Sequence, residues 1–142
     1  MTDAPSLPTE IVKPTEIVKP IEIVKTFLTA MMNKDYAAGL KFVADDCVYD
    51  NGPLGKVSGP AGVRGVLEPF FAPTLENTYV IKRAVTDGAV VFIERVDRHR
   101  LSNKWVELPV TGVWEVHDGK ITVWNDYFDL ATILNHWPVA SA

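Results

Sequence analysis

Four β-rich stretches fill the second half of this 142-residue chain, and two-residue turn signals stand between them. Thr78–Val85, Val90–Leu101, Trp105–Val116 and Ile121–Phe128 are rich in β-branched and aromatic residues. Asp87-Gly88, Ser102-Asn103 and Asp118-Gly119 separate them. Asp-Gly tolerates the positive φ of a type I′ turn, so each strand folds back on the one before it. An antiparallel meander is therefore expected.

Side chains alternate between the two faces of a strand. Val91, Ile93, Arg95 and Asp97 therefore share one face of the second stretch, and Val106, Leu108, Val110, Trp114 and Val116 share one face of the third. The latter row predicts a covered, curved sheet. The former ends an apolar wall with an arginine and an aspartate; if this face lines the interior, the pair is costly to bury unless each charge is matched, which leaves room for a functional reason. In Trp124-Asn-Asp-Tyr-Phe-Asp129, Asp126 shares its face with Trp124 and Phe128. Two carboxylates and one arginine set among apolar groups are what a function has to account for. Alone, Arg95 and Asp97 would most often be a surface or structural ion pair, and Asp126 more often a strand-end residue or hairpin contact.

The first half supplies the cover. Ile23, Val24, Phe27, Leu28 and Met31 fall at helical spacing and predict an amphipathic helix from Ile21 to about Met32. Asp35 can cap a shorter helix carrying Tyr36, Leu40 and Val43. Cys47 to Asn51 reads as a short strand with Cys47, Tyr49 and Asn51 on one face, broken by Gly52-Pro-Leu-Gly55. A third helix starts near Pro60 and carries Val63, Val66, Leu67, Phe70 and Phe71, with Pro69 expected to bend or shorten it. A last helix follows Asp129 through Leu130, Ile133 and Leu134 and ends before Pro138. Helices first and long antiparallel strands after them define an α+β fold with the helices on one face of the sheet. Residues 1–20 stand apart: Thr9-Glu-Ile-Val-Lys-Pro14 is repeated at once as Thr15–Pro20, and Ile21-Glu-Ile-Val-Lys25 nearly repeats it. The copies are too few for a solenoid and their prolines exclude a continuous helix, so 1–20 is expected to be an extended tail and 21–142 a single domain.

A net charge of −4 and a pI near 5.3 give no electrostatic case for nucleic acid or an anionic membrane. Cys47 is the single cysteine, which excludes an intrachain disulfide and favours a reducing compartment, and three scattered histidines give no Cys/His zinc site. No apolar run approaches the ~20 residues of a membrane helix, and the start has no signal-peptide core, so a cytoplasmic protein is expected. His99 shares the face of Asp97 but is expected to face solvent at the strand end; His117 and His136 are expected to be exposed.

Tyr49-Asp-Asn51, Arg95-Val-Asp97 and Trp124-Asn-Asp-Tyr-Phe-Asp129 together resemble the limonene-1,2-epoxide hydrolase family, which shares the cone-shaped fold of nuclear transport factor 2, ketosteroid isomerase and polyketide cyclases. The resemblance runs from about Ile21 to Leu134. It implies a curved sheet, antiparallel or mixed, packed against N-terminal helices. It also implies one-step hydrolysis of an apolar epoxide by an activated water, with no covalent intermediate, cofactor or metal. Asp126 would be the general base, Asp97 the general acid and Arg95 the residue between them, while Tyr49 and Asn51 would hold the water with Asp126. Met32, Phe71, Leu108, Trp114, Trp124 and Phe128 are the candidate lining of the substrate cavity, although by residue type Phe70, Phe71, Trp114 and Met32 fit a core equally well. Asp50, where the family has a neutral glutamine, and Asn125, often an arginine, face away from the site and bear on the substrate rather than the mechanism.

Two other functions suit the same fold: an isomerase or cyclase with one Asp as base, or a non-catalytic module binding a small ligand. Arg95 argues against the first, because a carbonyl oxyanion prefers neutral donors. Trp105 and Val113, opposite Leu108, Val110 and Trp114, make the third strand apolar on both faces. Together with the resemblance, this leads to the expectation of a homodimer.

Overall fold

The computed structural model describes residues 18–138. In chain order the elements are α1 (Pro20–Met32), α2 (Tyr36–Leu40), β1 (Val43–Asp50), a 3-10 turn at Gly52–Leu54, β2 (Lys56–Ser58), α3 (Gly59–Phe71), β3 (Glu76–Asp87), β4 (Val90–Leu101), β5 (Lys104–His117), β6 (Lys120–Phe128) and α4 (Leu130–His136). The reading of the repeated segment as an extended tail falls almost wholly outside the described residues; its end, Pro20, opens α1 at the first-turn position that suits proline.

The expected meander forms: β3, β4, β5 and β6 pair antiparallel in sequence order. β1 then adds to β6 in parallel, aligning Tyr49 with Trp124, and β2 pairs with β1 at the edge. The sheet order is β2-β1-β6-β5-β4-β3, a mixed sheet. Register shifts leave Lys82 of β3 and Thr122 of β6 without a cross-strand partner, and these bulges bend and twist the strands as the sheet curves around its helices.

Turn chemistry accounts for two of the three hairpins, each in its own way. Asp118 and Gly119 both take positive φ (52° and 76°), as a type I′ turn requires. The turn expected at Asp87-Gly88 sits one residue later: Asp87 pairs with Val90 and the loop is Gly88-Ala89, with positive φ at Gly88. Val43, expected in the second helix, opens β1 instead, because the parallel neighbour β6 claims it by pairing with Ile121. Asp35 does cap α2, accepting the Ala38 N–H at 3.3 Å. Pro69 lies inside α3 without ending it: the helix runs to Phe71, and the Ala72 N–H still reaches the Glu68 carbonyl at 3.0 Å.

α1 and α3 cover the inner face. Val24, Phe27 and Met31 from α1 and Val63, Leu67 and Phe71 from α3 pack with Val91, Ile93, Trp114, Ile121 and Trp124 of the sheet. Each such buried side chain contributes about 1.5–3 kcal/mol relative to exposure. A smaller cluster, Leu108, Val110 and Ile133, lies under α4. Trp137 fastens that helix by stacking on Phe70 at 4.5 Å and donating its indole N–H to the Phe70 carbonyl at 2.9 Å. The polar site lies where these two clusters meet the inner face of the sheet.

Candidate active site

Arg95 and Asp97 are two residues apart on β4, so both point inward, and the guanidinium folds along the strand to grip its neighbour. Nε donates to Oδ1 of Asp97 at 2.8 Å and Nη2 to Oδ2 at 3.2 Å, a forked, charge-assisted pair. The far side of the same guanidinium crosses β5 to β6, where Nη2 donates to Oδ2 of Asp126 at 3.1 Å. Trp124, on the same face of β6, donates its indole N–H to Oδ1 of Asp126 at 2.8 Å. Tyr49, register partner of Trp124, stacks on that indole at 3.8 Å and donates its hydroxyl to Oδ1 of Asn51 at 2.8 Å. All five predicted polar residues thus converge. Arg95 is 2% exposed, Asp97 and Asp126 6% each, Asn51 8% and Tyr49 2%.

Burial at this depth governs the protonation states. Loss of water raises the pKa of Asp97, and Arg95 opposes that rise. Burial likewise raises Asp126; Arg95 and the Trp124 N–H pull it down while the charge of Asp97 pushes it up. Burial would discharge Arg95, but the two carboxylates outweigh it and hold the guanidinium charged. One buried cation balances one carboxylate, so the neutral form of the group keeps a single proton between Asp97 and Asp126. Burial first, and then the charge of Asp126, lifts the Tyr49 phenol well above its ordinary range, so it serves as a neutral hydroxyl.

A cavity opens on this group, with about 110 Å³ available to the centre of a water molecule, room for a small compact ligand and a water. Its polar wall is Tyr49, Asn51, Arg95, Asp97 and Asp126. Met32, Phe71, Leu108, Trp124 and Phe128 line it as anticipated. Trp114 does not line it: fully buried behind the site, it supports the guanidinium of Arg95, 5.5 Å from the ring centre. Leu54, Val66, Val110 and Ile133 also line it without having been singled out as cavity residues from sequence, as do Leu28, Met31, Leu67 and Phe70. For Val66 and Ile133 the signal was their helical spacing, which marks a buried face and does not tell core from cavity.

His99 overturns its expectation. It is 1% exposed, boxed by Phe70, Phe71 and Trp137, with ring centroids 5.2, 5.8 and 5.2 Å away. α3 and the residue that ends α4 cover this strand end, which the strand alone does not reveal. Asn77 donates to Thr74 Oγ1 at 2.8 Å, so its carbonyl is left to accept from His99 Nδ1 at 2.7 Å. Among the described residues Nε2 has no partner, and burial lowers the pKa to about 4. His117 and His136 are exposed, as expected. Among the described residues, no cluster of three His, Cys, Asp or Glu side chains is placed to hold a metal ion, and no helix is long and apolar enough to cross a membrane.

A curved mixed sheet wrapped on helices is the fold of NTF2-like and SnoaL-like proteins, and in this chain it carries a buried acid–arginine–acid group at its inner face. The chain belongs to the limonene-1,2-epoxide hydrolase family: the model of that family's catalytic domain matches residues 18–139. It is 35% identical over 104 residues to the epoxide hydrolase EphG of Mycobacterium tuberculosis, covering 73% of this chain and 69% of that protein. The solved structure of an M. tuberculosis LEH-like epoxide hydrolase superposes with a TM-score of 0.70 at 33% identity, over 82% of this chain and 86% of that one. An NTF2-like protein of unknown function from Cytophaga hutchinsonii matches with a TM-score of 0.67 at 20% identity, over 82% and 96% of the two chains, a likeness of fold alone.

Proposed function

We propose that this protein converts an apolar epoxide to a vicinal diol in one step, with a water as nucleophile and no ester intermediate. The observation that carries the reading is the single guanidinium holding Asp97 and Asp126 at the wall of a largely apolar cavity. Water is a weak nucleophile and an alkoxide a poor leaving group, so proton removal and proton donation have to occur together; each contributes on the order of 10²–10⁴ in rate. Asp126 takes a proton from the water as its oxygen bonds to a ring carbon. The carbon–oxygen bond of the epoxide breaks, and Asp97 gives its proton to the departing oxygen. Asp126 then holds the proton taken from the water while Asp97 is left ionised, and proton exchange with solvent returns the group to its starting state.

Tyr49 and Asn51 complete the water site. With its carbonyl engaged by the Tyr49 hydroxyl, the Asn51 amide is left to donate to the water oxygen, and the phenolic oxygen keeps lone pairs to accept from the water. Met32, Phe71, Leu108, Trp124 and Phe128 then contact the hydrocarbon part of the substrate. An isomerase or cyclase needs one carboxylate as base and leaves the second acid and the guanidinium without a role. A non-catalytic module leaves all three without one.

A single turnover in heavy-oxygen water tests the reading. Label in the diol and none in any aspartate is expected. Label entering Asp97 or Asp126 on the first turnover would mean an ester mechanism and would sink it.

A further inference from the structure

The inward row of β5 reads Val106, Leu108, Val110, Gly112, Trp114, Val116, and every member except Gly112 carries a large side chain. Glycine weakens a strand interior, and where its backbone is not left-handed it marks a place that something else approaches closely. Gly112 is not among the positive-φ residues, so conformation does not demand it. Space does. A Cβ built there would lie 2.4 and 2.6 Å from Cη2 and Cζ3 of the Trp114 indole and 2.8 Å from Nη1 of Arg95, closer than real Cβ contacts come.

The register explains why those atoms are there. Gly112 pairs with Ile93 of β4 on one side and directly with Asp126 of β6 on the other. Arg95 pairs with Val110, so its side chain has to pass over β5 beside Gly112 to reach Asp126. The missing side chain is the gap through which the guanidinium crosses. Trp114 forms the far wall and holds its place although its own indole N–H finds no acceptor among the described residues. The geometry points to Gly112 as a positioning residue for the hydration reaction, its empty β-carbon site being the slot that lets one guanidinium span carboxylates on β4 and β6. This rests on the acid–arginine–acid mechanism proposed above. Gly112 touches neither substrate nor water and acts only through Arg95.

The test separates the two things a Cβ would disturb. Gly112→Ala alone strikes Trp114 and Arg95 together and is a risk to folding. Trp114→Phe shortens the ring, so Gly112→Ala in that background meets Arg95 alone. Relative to Trp114→Phe, the double variant should melt at nearly the same temperature. A misplacement of a reacting group by about 1 Å costs on the order of 10² in rate, so its kcat on styrene oxide and cyclohexene oxide should fall ~100-fold with KM moved less than about threefold. The guanidinium N–H signals of Arg95 in ¹⁵N-labelled protein report the same slot whether or not either epoxide is turned over. Held at both ends, the group should show separate, slowly exchanging Nη resonances in Trp114→Phe, collapsing in the double variant. Unchanged Arg95 resonances, or unchanged kcat where the Trp114→Phe protein turns an epoxide over, would overturn the slot. Absence of turnover in the parent protein, with the resonance change present, would leave the slot standing and count against the proposed reaction instead.

Discussion

Arg95 and Asp126 meet at 3.1 Å although their strands are not neighbours: β5 lies between them. The contact is a through-space bridge over the middle of the meander, and it joins two acids that lie on different strands. Replacing Arg95 with lysine should therefore be severe. An ammonium has no planar fork and cannot satisfy both carboxylates at once. Diol formation is expected to fall at least as far as in either aspartate variant, measured by chromatography of the product.

Asp126→Asn and Asp97→Asn should each remove nearly all turnover, since an amide neither accepts nor supplies the required proton. Tyr49→Phe should be milder, losing one contact to the water and ~1–2 kcal/mol of positioning. The losses should not add, because the group acts as a unit, and kcat of single and double variants checks this.

The rate should depend on pH as a bell. Burial raises both Asp97 and Asp126 above the ordinary carboxylate range, the charge of Arg95 opposing in each case. Activity falls on the acid side when the pair takes a second proton and on the alkaline side when the shared proton is lost. The acid limb should consequently lie above the usual range of an exposed aspartate. A kcat/KM profile flat down to that ordinary range would contradict the buried-pair picture.

Stability should carry a separate signature from His99. Its folded pKa lies near 4 against 6.5 for a free imidazole, with burial as the main cause and the charge of Arg95 adding to it. A depressed pKa means stability that is complete above pH 6.5 and lost as the pH falls toward 4. The full difference corresponds to about 3 kcal/mol at ~1.4 kcal/mol per unit. Asp97 and Asp126 work in the opposite direction, because a raised carboxyl pKa favours the folded state as the pH falls through it. Comparing denaturant midpoints of the wild type and His99→Leu across this window isolates the histidine: the variant should lose the acid-dependent decline.

The outer face of the sheet exposes Val80, Val85, Phe92, Trp105 and Tyr127, with exposures from 39% to 66%. A second copy covering this face is the expected solution, and Phe92→Glu should weaken it. Light scattering at micromolar concentration should report about twice the 15.7 kDa chain mass for the wild type. A wild-type mass of one chain would exclude the dimer.

Much of this was legible in the residues themselves. Two-residue turns force neighbouring strands together and alternation assigns their faces, so the meander and the inward set Arg95, Asp97, Tyr49 and Asp126 follow from local rules alone. What only the tertiary structure decided concerns contacts between segments far apart in the chain. β6 recruits Val43 into a parallel strand; α3 and Trp137 enclose a histidine that its own strand leaves open; Trp114 goes behind the arginine rather than into the cavity. Gly112 makes the point most sharply. On one strand it is a gap in an apolar row, and it acquires a meaning only when the register brings Arg95 to one side and Asp126 to the other. Local sequence sets which way a side chain points, whereas what it meets depends on how separate elements are packed against one another.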